Sequence, residues 1–154
     1  MFRSPYRLFR TFAILEAISW TLLLLALVLR AVADLAIGVT IGGAIHGFVF
    51  LSYGATVILV AKNNRLRPWP TIVALVSAVI PYATIPTEIW LQRTGRLAGE
   101  WRLEATDDPR DALWHDRLLR WFLARPWVLG ALILVALVVL YAVLLVIGPP
   151  GGRS

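Results

Sequence analysis

A chain of 154 residues that is 59% hydrophobic and only 16% charged carries more apolar surface than one water-soluble core of its size can bury, which excludes an ordinary soluble domain and points to a helical membrane protein. The absence of cysteine excludes disulfides, thiolate metal sites and cysteine nucleophiles. The net charge of +6 does not argue for nucleic acid, because the arginines cluster at the ends of apolar segments, where they meet anionic lipid headgroups.

The start, MFRSPYRLFR, is basic like the front of a signal peptide. The apolar run behind it carries Glu16, is long enough to span and has no small-residue cleavage site before Arg30, so a retained helix is expected. This first span lies between Arg10 and Arg30. Glu16, Ser19, Trp20 and Leu23 recur in it at helical spacing and mark an inward face. The short connector from Arg30 to Asp34 makes the next helix an antiparallel neighbour.

That next stretch, Leu35 to Ala61, holds no charge yet carries His46 and five glycines. As a helix its 27 residues reach roughly 40 Å, more than the ~30 Å of a bilayer's hydrocarbon. Gly43 with Gly47, and Gly38 with Gly42, form small-xxx-small pairs that favour close helix approach. A basic loop with Lys62, Arg65 and Arg67 follows. The third span, Thr71 to about Gln92, contains Pro81 and Pro86, which remove backbone donors and should kink or partly break it.

From Arg93 to Arg125 the chain holds seven Arg, two Glu and four Asp and stays outside the hydrocarbon. Asp108 reads as an N-cap before Pro109 at a first helical position. Trp114, Leu118, Trp121 and Phe122 then share a face opposite Asp116 and Arg120, the pattern of a helix lying in the membrane interface. The last span runs from about Pro126 to Ile147. The basic, acid-free segments at the N-terminus and at Lys62–Arg67 place both termini in the cytoplasm in a four-span topology. The competing topology makes the proline-broken third segment re-entrant and keeps the charged loop inside.

Ionisable groups inside a bilayer cost several kcal/mol, so Glu16, His46 and Glu88 each need a reason. Counting rises from the flanking charges, Tyr53 comes level with Glu16 and is expected to donate to it, and Thr84 comes level with His46. Glu16, Tyr53, His46 and Thr84 thus form an internal polar seam, read either as interhelical hydrogen bonding or as a ligand or proton site. A single buried histidine with scattered carboxylates is not a metal or haem ligand set, and no motif of hydrolase or nucleotide chemistry occurs. The tryptophans read mostly as an interfacial belt.

The segments FRTFAILEAISW (9–20), GGAIHGFVFLSY (42–53) and PYATIPTEIW (81–90) resemble the three signature segments of the small YdzA-like bacterial membrane proteins, a domain of unknown function. The resemblance covers roughly residues 8 to 93. It implies a three-helix membrane module without an established activity, with Arg10, Glu16, Ser19, His46, Gly47, Phe50, Tyr53 and Glu88 as the positions of interest. The charged loop and the fourth span are additions to that short form.

The expectation is therefore an all-α integral membrane protein with four transmembrane helices and an interfacial amphipathic helix before the last. Residues 1–93 form the three-helix module, 94–125 the charged loop, and 126–154 the fourth helix and tail. Its function is expected to be that of a small accessory or ligand-binding subunit of a bacterial plasma-membrane assembly, without enzymatic activity. The candidate ligand or proton site comprises Arg10, Glu16, Ser19, His46, Tyr53, Thr84 and Glu88. Membrane lipids and another membrane protein, or a second copy of the chain, are the expected partners; cofactors, metals and nucleic acid are not. The rival reading is a homo-oligomeric transporter or proton-linked permease in which Glu16 and His46 handle the cation.

Overall fold

The computed structural model describes residues 4–147 and divides into two compact units, residues 1–101 and 102–154. Every regular element among the described residues is helical. Three helices are long and apolar enough to cross a membrane, and a shorter apolar helix accompanies them.

In the first unit, α1 (Pro5–Ala33) starts at Ser4, whose hydroxyl accepts from the Arg7 amide at 3.3 Å, with Pro5 at the first helical position. It stops at Asp34, which takes the left-handed conformation (φ 54°) and donates its N–H to the Arg30 carbonyl. Two residues later α2 (Ala36–Asn63) begins, so the pair is antiparallel, as the short connector requires. Gly42 lets the helices approach closely: a Cβ there would stand 3.2 Å from the Ala26 Cβ and 3.5 Å from the Leu22 carbonyl oxygen. Gly38 faces Ala26 as well, whereas Gly43 has open space beside it, so Gly38 and Gly42, not Gly43, make the α1–α2 contact.

The third apolar segment is not one continuous helix. It consists of α3 (Pro68–Ser77) and α4 (Thr84–Arg93), ten residues each, joined by a turn over residues 78–83. Each half reaches about 15 Å, half the hydrocarbon thickness. Pro81 lies in the turn, Tyr82 takes a left-handed φ of 65°, and Pro86 falls in the first turn of α4, where an N–H would lack an intrahelical partner.

The two halves form a hairpin that enters and leaves at one end of the unit. At its tip the Trp20 indole N–H donates to the Ala78 carbonyl (3.1 Å) and the Thr21 and Tyr82 hydroxyls meet at 3.3 Å. Trp20 is midway between Arg10 and Arg30, which flank the first span. At the base, the Asn64 amide, just past α2, donates to the carbonyls of Arg96 and Ala98, just past α4, both at 3.0 Å, and Asn63 donates to Glu100 (3.2 Å). Residues 62–67 and 93–101 are therefore side by side, the arrangement that the competing, re-entrant topology describes for the third segment. Proline removes the ladder bonds that would keep the helix straight, and the neighbouring helices satisfy the freed groups.

The core lies at this end. Phe9, Ala13, Tyr53, Val57, Val60, Ala74, Ala78, Leu91 and Leu97 form one buried cluster, with Phe9 edge-on to Tyr53 at 5.6 Å. Beyond the hairpin tip, α1 and α2 continue as a pair bearing exposed Leu25, Val28, Val32, Ile37 and Ile41.

In the second unit, Asp108 accepts from the Arg110 amide as an N-cap should. The helix it starts is only a 3-10 turn (Pro109–Ala112), and a new helix, α5 (Trp114–Leu123), begins after Leu113. The buried Asp111 carboxylate gathers Arg102 (3.0 Å), the Thr106 amide (2.8 Å) and the Thr106 hydroxyl (2.7 Å), while Arg120 donates to the Asp111 carbonyl at 2.7 Å. Asp116 and Leu119 of α5 are buried, and Trp114, Leu118 and Trp121 are exposed, giving the helix an apolar outer face. The last helix, α6 (Pro126–Ile147), has the expected bounds and reaches about 33 Å.

Candidate functional site

Antiparallel packing of α1 on α2 brings residues 27 apart in sequence to one level, and there the polar side chains of both helices meet. The Ser19 hydroxyl lies 2.9 Å from His46 Nδ1, 3.2 Å from Glu16 Oε2 and 2.9 Å from the Glu16 carbonyl, one helical turn back. His46 Nδ1 is 3.9 Å from Glu16 Oε1. The His46 ring packs at a tilt of 52° against Trp20, with centroids 4.4 Å apart, and has Phe50 6.2 Å away. Glu16 and Ser19 are fully buried, and His46 keeps 13% of its side chain exposed.

One arrangement of protons satisfies most of these atoms. Nδ1–H of His46 donates to Ser19 Oγ, and Ser19 donates in turn to Glu16. Glu16 Oε1 then remains without a hydrogen-bond partner although it is buried. A buried acceptor left unpaired costs about 1–3 kcal/mol, more if charged, so this atom marks a place where a proton or a ligand atom would be favourable.

The other expected members of the seam lie nearby but are bonded elsewhere. Tyr53 is fully buried, and its hydroxyl donates to the Ala74 carbonyl (3.1 Å) and lies 3.2 Å from Ser77 Oγ, instead of donating to Glu16. Thr84 donates to the Ala13 carbonyl at 3.0 Å, so it fixes α4 on α1 and does not reach His46. The two differ for separate reasons: packing of α1 on α2 brings Tyr53 against Phe9, about two turns before Glu16, and the turn at 78–83 returns the third segment before Thr84 comes level with His46. Arg10 is exposed, with Nη1 on the Tyr6 hydroxyl (2.7 Å). Glu88, one turn after Thr84, is 5% exposed, and its Oε1 also lacks a partner. The side chains that the structure brings together are therefore Glu16, Ser19 and His46, and they make up the candidate site. Gly38 and Gly42 hold the two helices close enough to form it.

Trp20 lies on the inward face of α1, as its spacing from Glu16 and Ser19 indicates; what sequence reasoning missed is its acceptor, the Ala78 carbonyl. The available signal was an indole N–H within an apolar run, which must find an acceptor there. A helix broken by proline supplies one.

The comparisons bear on the first unit. Over 93 residues, 59% of this chain, it is 42% identical to "Putative membrane protein SCO5905" of Streptomyces coelicolor, of which the match covers 11%. The chain thus spans about a tenth of the length of that curated relative. No solved structure matches. The family model described as "Domain of unknown function (DUF3817)" matches residues 6–93, which hold α1, α2 and the hairpin with its polar cluster, and the chain belongs to that family.

Proposed function

We propose that the protein is a small, non-catalytic subunit of a bacterial plasma-membrane assembly, which covers its hairpin tip and uses the Glu16–Ser19–His46 cluster as a ligand or proton site. The observation that carries this reading is the tip itself. Irregular backbone at membrane depth is tolerated where protein or a water-filled cavity covers it, yet Val79, Ile80 and Tyr82 are 62, 55 and 45% exposed at the level of Trp20. Open space beside Gly43 and Gly54, on α2, leaves room for a further helix. The relative's far greater length supports a module that works against other membrane-embedded protein. The resemblance to the YdzA-like proteins agrees with a membrane module.

Binding, and not catalysis, fits the cluster. A nucleophile triad places carboxylate and hydroxyl on opposite ring nitrogens of its histidine. Here the Ser19 hydroxyl and Glu16 approach the same Nδ1.

A second reading is favoured by the lone Glu16 Oε1: a homo-oligomer in which Glu16 and His46 pass a proton or cation. Native mass spectrometry from mild detergent separates the two. A foreign membrane protein retained with the chain supports the subunit, a homo-oligomer supports the transporter, and a bare monomer from native membranes would reject both. The cluster's role is read from partner retention or binding between about pH 5 and 8, where histidine usually titrates. A profile that is flat in wild type, Glu16→Gln and His46→Gln alike reduces the cluster to packing.

A further inference from the structure

At the base of the hairpin two helix ends lie side by side. After α4, Gly95 (φ 70°) and Arg96 return their N–H groups to the carbonyls of Gln92 and Leu91, both at 2.9 Å. After α2, Arg65 takes the same left-handed position (φ 51°) and Leu66 returns its N–H to Ala61 (2.9 Å). Both ends are thereby closed in Schellman fashion. The Asn64 amide ties one to the other through the Arg96 and Ala98 carbonyls. Between them is a cavity of about 290 Å³ lined by Asn64, Arg65, Leu66, Arg67, Arg96 and neighbouring small residues.

Three of its lining side chains are guanidiniums and none is a carboxylate. Among the described residues Arg67 and Arg96 enter no ion pair; Arg96 lies over the Trp90 ring, its Cζ 4.8 Å from the centroid. Arginines near helix C-termini can serve to cap carbonyls. Here the Schellman bonds and the Asn64 amide already take those carbonyls, which leaves the donors of Arg67 and Arg96 for something else.

We infer that this cleft is a binding site for a phosphate group, carried by an anionic lipid headgroup or free in solution, held by Arg67 and Arg96 with Arg65 at its wall. A lipid headgroup suits the location. The cleft lies at the end of the unit where the apolar helices α1 and α2 reach their basic flanks, Arg7, Arg10 and Lys62, at the depth of phospholipid phosphates. Planar guanidiniums that can each give two parallel N–H bonds match phosphate oxygens.

The test is native mass spectrometry of the full chain in mild detergent, titrated separately with dioleoyl phosphatidylglycerol, dioleoyl phosphatidylcholine and inorganic phosphate. Phosphatidylglycerol should be retained over phosphatidylcholine, and Arg67→Gln and Arg96→Gln should each weaken that retention about tenfold, as loss of one charge-assisted contact predicts. Arg30→Gln, at the far end of α1, should leave it unchanged, and Arg96→Lys should keep part of it, so that a misfolded Gln variant does not pass for a positive result. Binding of inorganic phosphate that the same two variants abolish, without lipid preference, assigns the site to free phosphate. Equal retention of both lipids with no phosphate binding, or Gln variants equal to wild type, overturns the inference.

Discussion

The Trp20 indole donates its N–H to the Ala78 carbonyl at 3.1 Å, and this bond joins the middle of a spanning helix to the tip of a hairpin that goes only halfway. Ala78 follows the last residue of α3, where the helix ladder ends. Without the indole its carbonyl would need another donor in a place that offers few. Trp20→Phe keeps an aromatic ring against His46, removes the donor and leaves a smaller side chain. It should destabilise the protein by about 1–3 kcal/mol, seen as a lower Tm in detergent. Tyr82→Phe, which removes a 3.3 Å contact of an exposed hydroxyl, should cost much less. Equal effects would mean that the tip is held by packing alone.

The hairpin also fixes which segments share a membrane side. Cysteines introduced as Arg67→Cys and Glu100→Cys should react with a membrane-impermeant maleimide from the same side, and Tyr82→Cys, at the tip, should be protected from it on both. Thirteen of the fifteen Lys and Arg residues lie before Glu16, in 62–67 or in 93–125. The positive-inside rule then predicts that the side shared by 62–67 and 93–101 is cytoplasmic. Labelling of positions 67 and 100 from opposite sides would restore a continuous third span.

Glycine substitutions separate the inner face of α2 from its open face. Gly42→Leu would force its side chain into Ala26 and the Leu22 backbone and should destabilise the unit by about 1–3 kcal/mol. A Cβ at Gly43 meets nothing within 4 Å, so Gly43→Leu should change the monomer's stability by no more than about 0.5 kcal/mol, and any loss of an assembled species on native gels reports a partner at that face. A similar fall in Tm for both variants would contradict this division.

Much of the architecture was legible because periodicity and length are strong signals for apolar helices. The bounds of α6, the tight turn at Asp34, the Gly38–Gly42 contact and the apolar outer face of α5 all follow from spacing. Glu16, Ser19 and His46 could be singled out because ionisable groups are rare in hydrocarbon. Their actual partners could not. Pro81 and Pro86 announce a break but not its angle, and a kinked span and a hairpin differ in where Thr84, Glu88 and residues 93–101 end up. Tyr53 went to the Ala74 carbonyl because the bent segment brings backbone acceptors into the core that a straight helix would have kept to itself.

The charged segment before α6 should depend on a single carboxylate. Asp111 is 3% exposed and its side chain takes bonds from Arg102 and, twice, from Thr106, while Arg120 Nη1 stands 3.3 Å away. Asp111→Ala removes the acceptor from the largely buried Arg120 guanidinium and from Thr106, and leaves Arg102 to Asp116 Oδ2, 3.5 Å away. Loss of one partner from such a buried group costs about 3–5 kcal/mol, so the second unit should become sensitive to protease between residues 102 and 125 while the first keeps its Tm. Resistance equal to wild type would show that the remaining bonds suffice.

The polar cluster permits a sharper test than single substitutions, because Ser19 stands between two groups that hardly reach each other. Ser19→Ala takes from the Glu16 carboxylate its hydrogen bond to a side chain, and among the described residues its other oxygen has none, so the change should cost about 1–3 kcal/mol. In a Glu16→Leu background no buried carboxylate is left to suffer, and the same Ser19→Ala change should cost little. The difference is a coupling energy of about 0.5–3 kcal/mol, measured from Tm or reversible unfolding of the four proteins. Repeating the cycle with His46→Phe in place of Glu16→Leu asks whether the 2.9 Å contact from Ser19 to His46 belongs to the same unit. Additivity in both cycles would mean that the three side chains are neighbours without being a network, and a proton or ligand atom taken up by Glu16 would then have no route to His46.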